Sequence, residues 1–415
     1  MSTITIPETN IPVARSGITG AHVALFIISF FSIAIGGTVS TLMSVYLPVA
    51  VQDLLGSKNT EQLNSISAYI NAVFIFGWAI GGFSWGVISD RVGRKKALLL
   101  AIAFYGLGTV LTGLAPNWEA VVICRFLSGF GVGGVLVVAF TTMTEVWPKS
   151  SRNIYIGILS IGIPVGIFSA GVINYVVSSW RQGFLVGIIP LSLAFLGIWL
   201  LNEQTSKTSH HERQGIGSLF SDDNRKKVLM GAVLFGTMLI GLWAIFSWLP
   251  TWIQSLIPGR DAAKERGLGM MLMGMGGLTG GFVSGWLANA LTIRRAMMLC
   301  FTVCSGLSFI LFKTNSTFSP IIYIEIGVLA FFFGVSQGVL SAYIPQLFPG
   351  SIRATATGFC FNAGRVVTAT AVLFVGVLVA ALGGYGNAIF IFSLVFIVGL
   401  LLVVFVKDTT RHNTV

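Results

Sequence analysis

GGFSWGVISDRVGRKKA occupies residues 81–97, and GGFVSGWLANALTIRRA occupies residues 280–296. A shift of 199 residues lays Gly81, Gly82, Phe83 and Gly86 over Gly280, Gly281, Phe282 and Gly285. The same shift sets Asp90 over Asn289, and Lys95-Lys96-Ala97 over Arg294-Arg295-Ala296. A shift of 201 residues matches a second pair, Glu145-Val-Trp-Pro148-Lys-Ser150-Ser-Arg152 over Gln346-Leu-Phe-Pro349-Gly-Ser351-Ile-Arg353. Two nearly equal offsets mark an internal duplication, so the chain reads as two similar halves.

Each copy of the first stretch closes one apolar run and opens the next. A spanning helix needs roughly 20 mostly apolar residues, because lipid offers no partner to exposed backbone groups. Twelve runs qualify: 22–51, 65–89, 97–115, 119–143, 153–177, 183–201, 228–256, 268–290, 296–312, 319–344, 354–382 and 384–406. The expected fold is therefore an all-α membrane protein, with twelve transmembrane helices in two pseudo-symmetric six-helix bundles. Residues 1–201 form the first bundle, 202–227 a cytoplasmic linker, and 228–415 the second bundle and tail.

Composition agrees. Apolar residues make up 54% of the chain and charged residues 9%, against about 25% charged in a soluble domain. Such a chain cannot cover a water-facing surface. Glycine fills 50 of 415 positions, and small residues let membrane helices approach closely. The formal charge of +11 is scattered between apolar runs, which argues against a nucleic-acid partner. With the N-terminus inside, seventeen of the 25 Lys and Arg fall on inner loops and tails. The outer loops hold Lys58, Arg181, Arg260, Lys264, Arg266 and Lys313. The positive-inside rule then puts both termini in the cytoplasm of a cell inner (plasma) membrane.

Cys124, Cys300, Cys304 and Cys360 all fall in apolar runs, where thiols behave as small hydrophobes. His210 and His211 read as a solvated pair in the linker, and the Met270, Met271, Met273 and Met275 cluster as adaptable packing. No metal and no cofactor is expected. No Gly-x-x-x-x-Gly-Lys-Ser/Thr stretch occurs, so ATP is not the direct drive. Nor does any soluble catalytic domain interrupt the runs, which speaks against an enzyme.

The residues resemble the major facilitator superfamily. Gly86-Val-Ile-Ser-Asp90-Arg91-Val-Gly93-Arg94-Lys95 is similar to that family's loop motif between helices two and three. The resemblance implies a charge latch, with Glu145 and Arg152 joining Asp90 and Arg91 in a network. The alternative is a set of topology-setting surface charges. In the second half the acids become Asn289 and Gln346, beside Arg353, which implies a weaker latch there. Arg125-Phe-Leu-Ser-Gly129-Phe-Gly131-Val-Gly133-Gly134 resembles the fourth-helix motif.

An arginine inside a span is costly unless paired or hydrated. Arg365 sits twelve residues into the eleventh run, with Asn362 on the same face. A guanidinium offers a fixed fork to a carboxylate. This region is similar to the organic-ion and aromatic-acid branch of the superfamily, which implies anion binding. The alternative is an arginine tied to backbone or to a neighbouring helix. Arg125 either faces protein or snorkels outward near Glu119. Glu325 falls beside Arg125 under the 201 shift, and the two either form a proton-sensitive pair or Glu325 faces water. Tyr46, Asn71, Trp243, Trp248, Gln337 and Tyr343 line a pocket or, for the aromatic ones, an interfacial belt.

The paired aspartates of aromatic-acid symporters are missing from Ile33-Ala-Ile-Gly-Gly-Thr38, and Gly162-Ile-Pro164-Val-Gly166 only partly matches the drug-exporter motif. The resulting expectation is a monomeric, proton-coupled carrier taking up a small organic anion by alternating access. Rival readings are a neutral, sugar-like carrier, a drug/proton exporter, and a non-transporting membrane sensor.

Overall fold

The computed structural model describes residues 18–56, 59–148, 151–201, 221–349 and 352–405. Twelve helices within them are long and apolar enough to cross a membrane. They are α1 (Gly20–Leu55), α2 (Thr60–Val92), α3 (Arg94–Leu114), α4 (Trp118–Val146), α5 (Ile154–Val176) and α6 (Trp180–Leu200) in the first half. The second half holds α7 (Asn224–Ser255), α8 (Ala263–Leu291), α9 (Ile293–Thr314), α10 (Ile321–Leu347), α11 (Thr355–Leu378) and α12 (Tyr385–Val403). Expected and observed ends agree to within five residues throughout. Arg225-Lys226-Lys227, expected in the linker, already lie in α7. The linker residues 202–220, with His210 and His211, lie outside the described residues, as does Lys58.

Local chemistry sets the starts of the helices. The Asn59 side chain accepts from the Glu61 and Gln62 amides at 3.0 and 3.3 Å, and Asn117 accepts from Ala120 at 2.9 Å. Such caps satisfy amides that the helix itself leaves without partners. Gly93 turns α2 into α3 at φ 92°. At the equivalent junction of α8 and α9, Thr292 takes φ 73° and ψ 155°, a region that only glycine enters freely.

Glycine seams hold each half together. A Cβ on Gly129 or Gly133 of α4 would strike the backbone of Phe74 or Trp78, and one on Gly81 of α2 would strike Phe130. In the second half, Gly280 meets Phe331, and Gly334 meets Gly277. Gly81 on Phe130 and Gly133 on Trp78 correspond to Gly280 on Phe331 and Gly334 on Gly277 under the 199 and 201 shifts, so the duplication holds at the level of backbone contact. Between halves, α2 packs on α11, α5 on α8, and α1 on α7. At the α5 and α8 crossing, Gly171 and Gly267 face each other backbone to backbone. Trp199, Phe282 and Trp286 stand exposed on the outside of the bundle, as a lipid-facing surface requires.

Candidate substrate site

Arg365 lies near the midpoint of α11, on the side that packs against α2. Its Nη1 donates to the Asn362 side-chain oxygen at 3.2 Å. Its guanidinium carbon lies 5.1 Å from the centre of the Trp78 ring, which belongs to the other half. Asn362 is fixed in turn by its amide, which donates to the Gly358 carbonyl at 3.0 Å. Gly82 makes room for Asn362, since a Cβ there would collide with the asparagine oxygen. Trp78 is braced edge-on by Trp243 of α7, with centroids 5.3 Å apart, and by Phe74 at 6.0 Å. One cation, one amide and two indoles from both halves therefore meet near mid-span. Such a set can hold an anionic group at one end and a flat apolar body beside it.

The remaining expected pocket residues divide. Trp243 belongs to this cluster, and the Gln337 amide nitrogen is buried without a partner. Tyr46 is not a lining residue: it is buried, and its hydroxyl donates to the Val177 carbonyl at 2.6 Å inside the first half. Trp248 is likewise packing, fully buried with its indole N–H on the Val372 carbonyl at 3.1 Å. Asn71 is tied between Ser44 and the Ser247 carbonyl, at 3.4 and 3.3 Å. Tyr343 is buried near the end of α10. These departures share a cause, since an isolated sequence does not say which face of a wholly apolar helix is turned inward.

Arg125 does not snorkel. It is 1% exposed, donates to the Val39 carbonyl at 3.0 Å, and covers the Phe74 ring at 3.9 Å. Glu325 accepts from the Asn315 amide at 2.7 Å, and Glu119 is exposed in the first turn of α4. Among the described residues no ion pair joins Arg125 to either acid. Positions related by the repeat occupy equivalent places in separate bundles, and equal depth does not bring them together.

At the end carrying the loop motifs, Arg94 is the hub. It pairs with Asp90 at 2.9 Å and with Glu145 at 2.7 Å, and reaches the Ser89 hydroxyl at 2.5 Å. Arg91, expected in this network, is exposed, as is Asn289. Arg152 turns to the Trp147 carbonyl at 3.1 Å instead of joining the acids, and Arg353 makes the same bond to Phe348 at 3.2 Å. The repeat thus preserves a structural clasp here. Gly86 lies near Val137 of α4, and Gly93 makes the turn already described.

Two further residues, Trp78 and Arg266, take up positions that the sequence does not single out. Trp78 is a tryptophan in the middle of a span, away from the interfacial belts where tryptophan usually collects, and that position was the available signal. Arg266, expected in an outer loop, lies in α8 at 1% exposure. It donates to the Val45 carbonyl of α1 at 2.9 Å, pairs with Asp261 at 2.6 Å, and bonds to Gln254. Polar contacts on this side of Arg365, away from the loop motifs, also join Asn71 to Ser247 and Tyr385 to Asn64.

The family model described as Major Facilitator Superfamily matches residues 25–341. The chain belongs to the major facilitator superfamily. Membership in this superfamily places it among membrane transporters rather than enzymes. It is 31% identical over 333 residues to a protein of Cupriavidus pinatubonensis named as a probable 4-methylmuconolactone transporter, covering 76% of each chain. It is 25% identical over 399 residues to the cis,cis-muconate transport protein of Acinetobacter baylyi, covering 92% of this chain and 94% of that one. The gentisate transporter of Corynebacterium glutamicum is 24% identical over 383 residues, with 88% and 83% covered. In fold, this superfamily member is similar to the inward-open xylose transporter XylE from E. coli, with a TM-score of 0.76 at 16% identity, covering 93% and 97% of the two chains.

Proposed function

We propose that this protein carries a small organic anion, a carboxylate with a flat apolar body, across the cell inner membrane by alternating access. The observation that carries this reading is Arg365, held at mid-span between the halves against Trp78 and Asn362. A guanidinium there matches a carboxylate fork to fork, and the indoles of Trp78 and Trp243 suit an unsaturated or aromatic body. The names of the relatives support it, since muconate and gentisate are carboxylates of this kind.

The positive-inside rule supports a cytoplasmic position for the loop-motif end, and with it for both termini. The contacts of Arg266, Asn71 and Tyr385 fasten the halves on the opposite side, which supports access from the cytoplasmic end in this arrangement. A chain without a phosphate-binding loop draws on a gradient, and the proton gradient is the drive we assign, with the protein working as a monomer.

Uptake into proteoliposomes tests this. Labelled gentisate, cis,cis-muconate and a neutral sugar are offered with and without an imposed pH gradient, to wild type and to Arg365→Gln. Carboxylate uptake, raised by the gradient and lost in the variant, is expected. Retention of wild-type uptake in Arg365→Gln removes the anion assignment. Binding without flux identifies a sensor instead.

A further inference from the structure

We infer that Trp78 is the return ligand of Arg365: its ring face receives the guanidinium whenever the carboxylate has left, so that the unladen carrier can turn around. The inference rests on the anion reading of the site.

A carrier that accumulates its cargo must pass between its two orientations twice per cycle, once with cargo and once without. On the laden passage a carboxylate neutralises Arg365. On the unladen passage a bare guanidinium would have to cross the closed intermediate among apolar side chains, and a cation there needs another partner. Among the described residues, the structure shows no carboxylate paired with Arg365. It shows the Trp78 face, 5.1 Å away, and the Asn362 oxygen at 3.2 Å. A ring face attracts a cation without forming an ion pair, so it yields to an arriving carboxylate and takes the guanidinium back afterwards.

Geometry supports a dedicated role. The pair crosses between halves, from α11 to α2, so it responds to their relative motion. Trp78 itself is rigidly placed. The Gly129 and Gly133 positions of α4 press on its backbone, and Trp243 and Phe74 hold its ring. Arg125 supplies the contrast. Its guanidinium also covers a ring, Phe74 at 3.9 Å, but it stays within the first half and is bonded to the Val39 carbonyl. That arrangement is static packing, while the Arg365 pair lies where the cargo is expected to bind.

The distinguishing property is the difference between net uptake and exchange. Net uptake needs the unladen return, whereas exchange of internal for external carboxylate does not. In proteoliposomes of Trp78→Leu and Trp78→Tyr, labelled gentisate is measured entering empty vesicles and entering vesicles preloaded with unlabelled gentisate. For Trp78→Leu the ratio of net uptake to exchange should fall by about fivefold, the scale of one cation–π contact. Trp78→Tyr, which keeps a ring face, should recover most of that ratio. An unchanged ratio in Trp78→Leu overturns the proposal, because a defect in folding or binding lowers both rates alike. So does a Trp78→Tyr ratio no better than that of Trp78→Leu. Arg365→Gln is run beside them: if it transports normally the anion reading itself fails, and that result is separate from any change in the Trp78 ratio.

Discussion

The buried guanidinium of Arg266 in α8 donates to the backbone carbonyl of Val45 in α1 at 2.9 Å, tying the second half to the first. Its Nη1 pairs with Asp261 at 2.6 Å and also meets Gln254, which fixes the start of α8. A charge-assisted bond between halves, placed beyond Arg365 on the side away from the loop motifs, acts as a fastening for that side.

Replacing Arg266 by Gln should loosen this closure. In a cysteine-free background carrying Asn71→Cys, labelling by an impermeant thiol reagent from that side should rise about tenfold when Arg266→Gln is added, on the scale of one lost bond to a charged group. Unchanged labelling would show that the bond plays no part in closure.

Gly82 and Gly281 are repeat mates with opposite surroundings. A Cβ at position 82 collides with Asn362, while one at position 281 meets nothing within 4 Å. Gly82→Ala should therefore cost about 1–3 kcal/mol and depress uptake through the displaced Asn362. Gly281→Ala should leave both thermal stability and uptake near wild type. Equal effects at the two positions would contradict the packing described here.

Thr292 stands where the first half uses Gly93, at φ 73°, and its hydroxyl is buried without a hydrogen-bond partner. Thr292→Gly removes both the strain and the orphaned hydroxyl. The folded protein should gain about 1 kcal/mol, measured as a higher midpoint of thermal unfolding in detergent. A lower midpoint would count against the strain.

Lysine at position 365 keeps the charge but loses the planar fork and most of the face that lies over Trp78. Arg365→Lys should lower carboxylate uptake by about tenfold or more, with a steeper loss for rigid aromatic acids than for small flexible ones. Wild-type rates in this variant would mean that a point charge suffices.

The twelve spans and the duplication were legible because hydropathy and glycine spacing are local signals. Arg365 and Asn362 were legible for the same reason, since a cation at mid-span needs an explanation wherever the helix turns. Tyr46 and Trp248 misled, because an aromatic residue on an apolar helix looks the same whether it faces a pocket or packs against a backbone carbonyl. Arg266 was hidden by the polar first turn of α8, which reads as loop. Glu145 meets Arg94 beside Asp90, where the resemblance implied a network with Arg91 and Arg152, because spacing alone does not say which of several neighbouring cations turns toward an acid.

Gly171 and Gly267 press backbone to backbone where α5 crosses α8. Interlocked side chains would act as gear teeth, allowing only discrete steps of one bundle over the other. At this one point two backbones meet directly and form instead a smooth bearing, on which one half can roll over the other. A methyl group at either glycine would be a wedge in that bearing, so its effect would fall on the speed of turnover rather than on affinity for cargo.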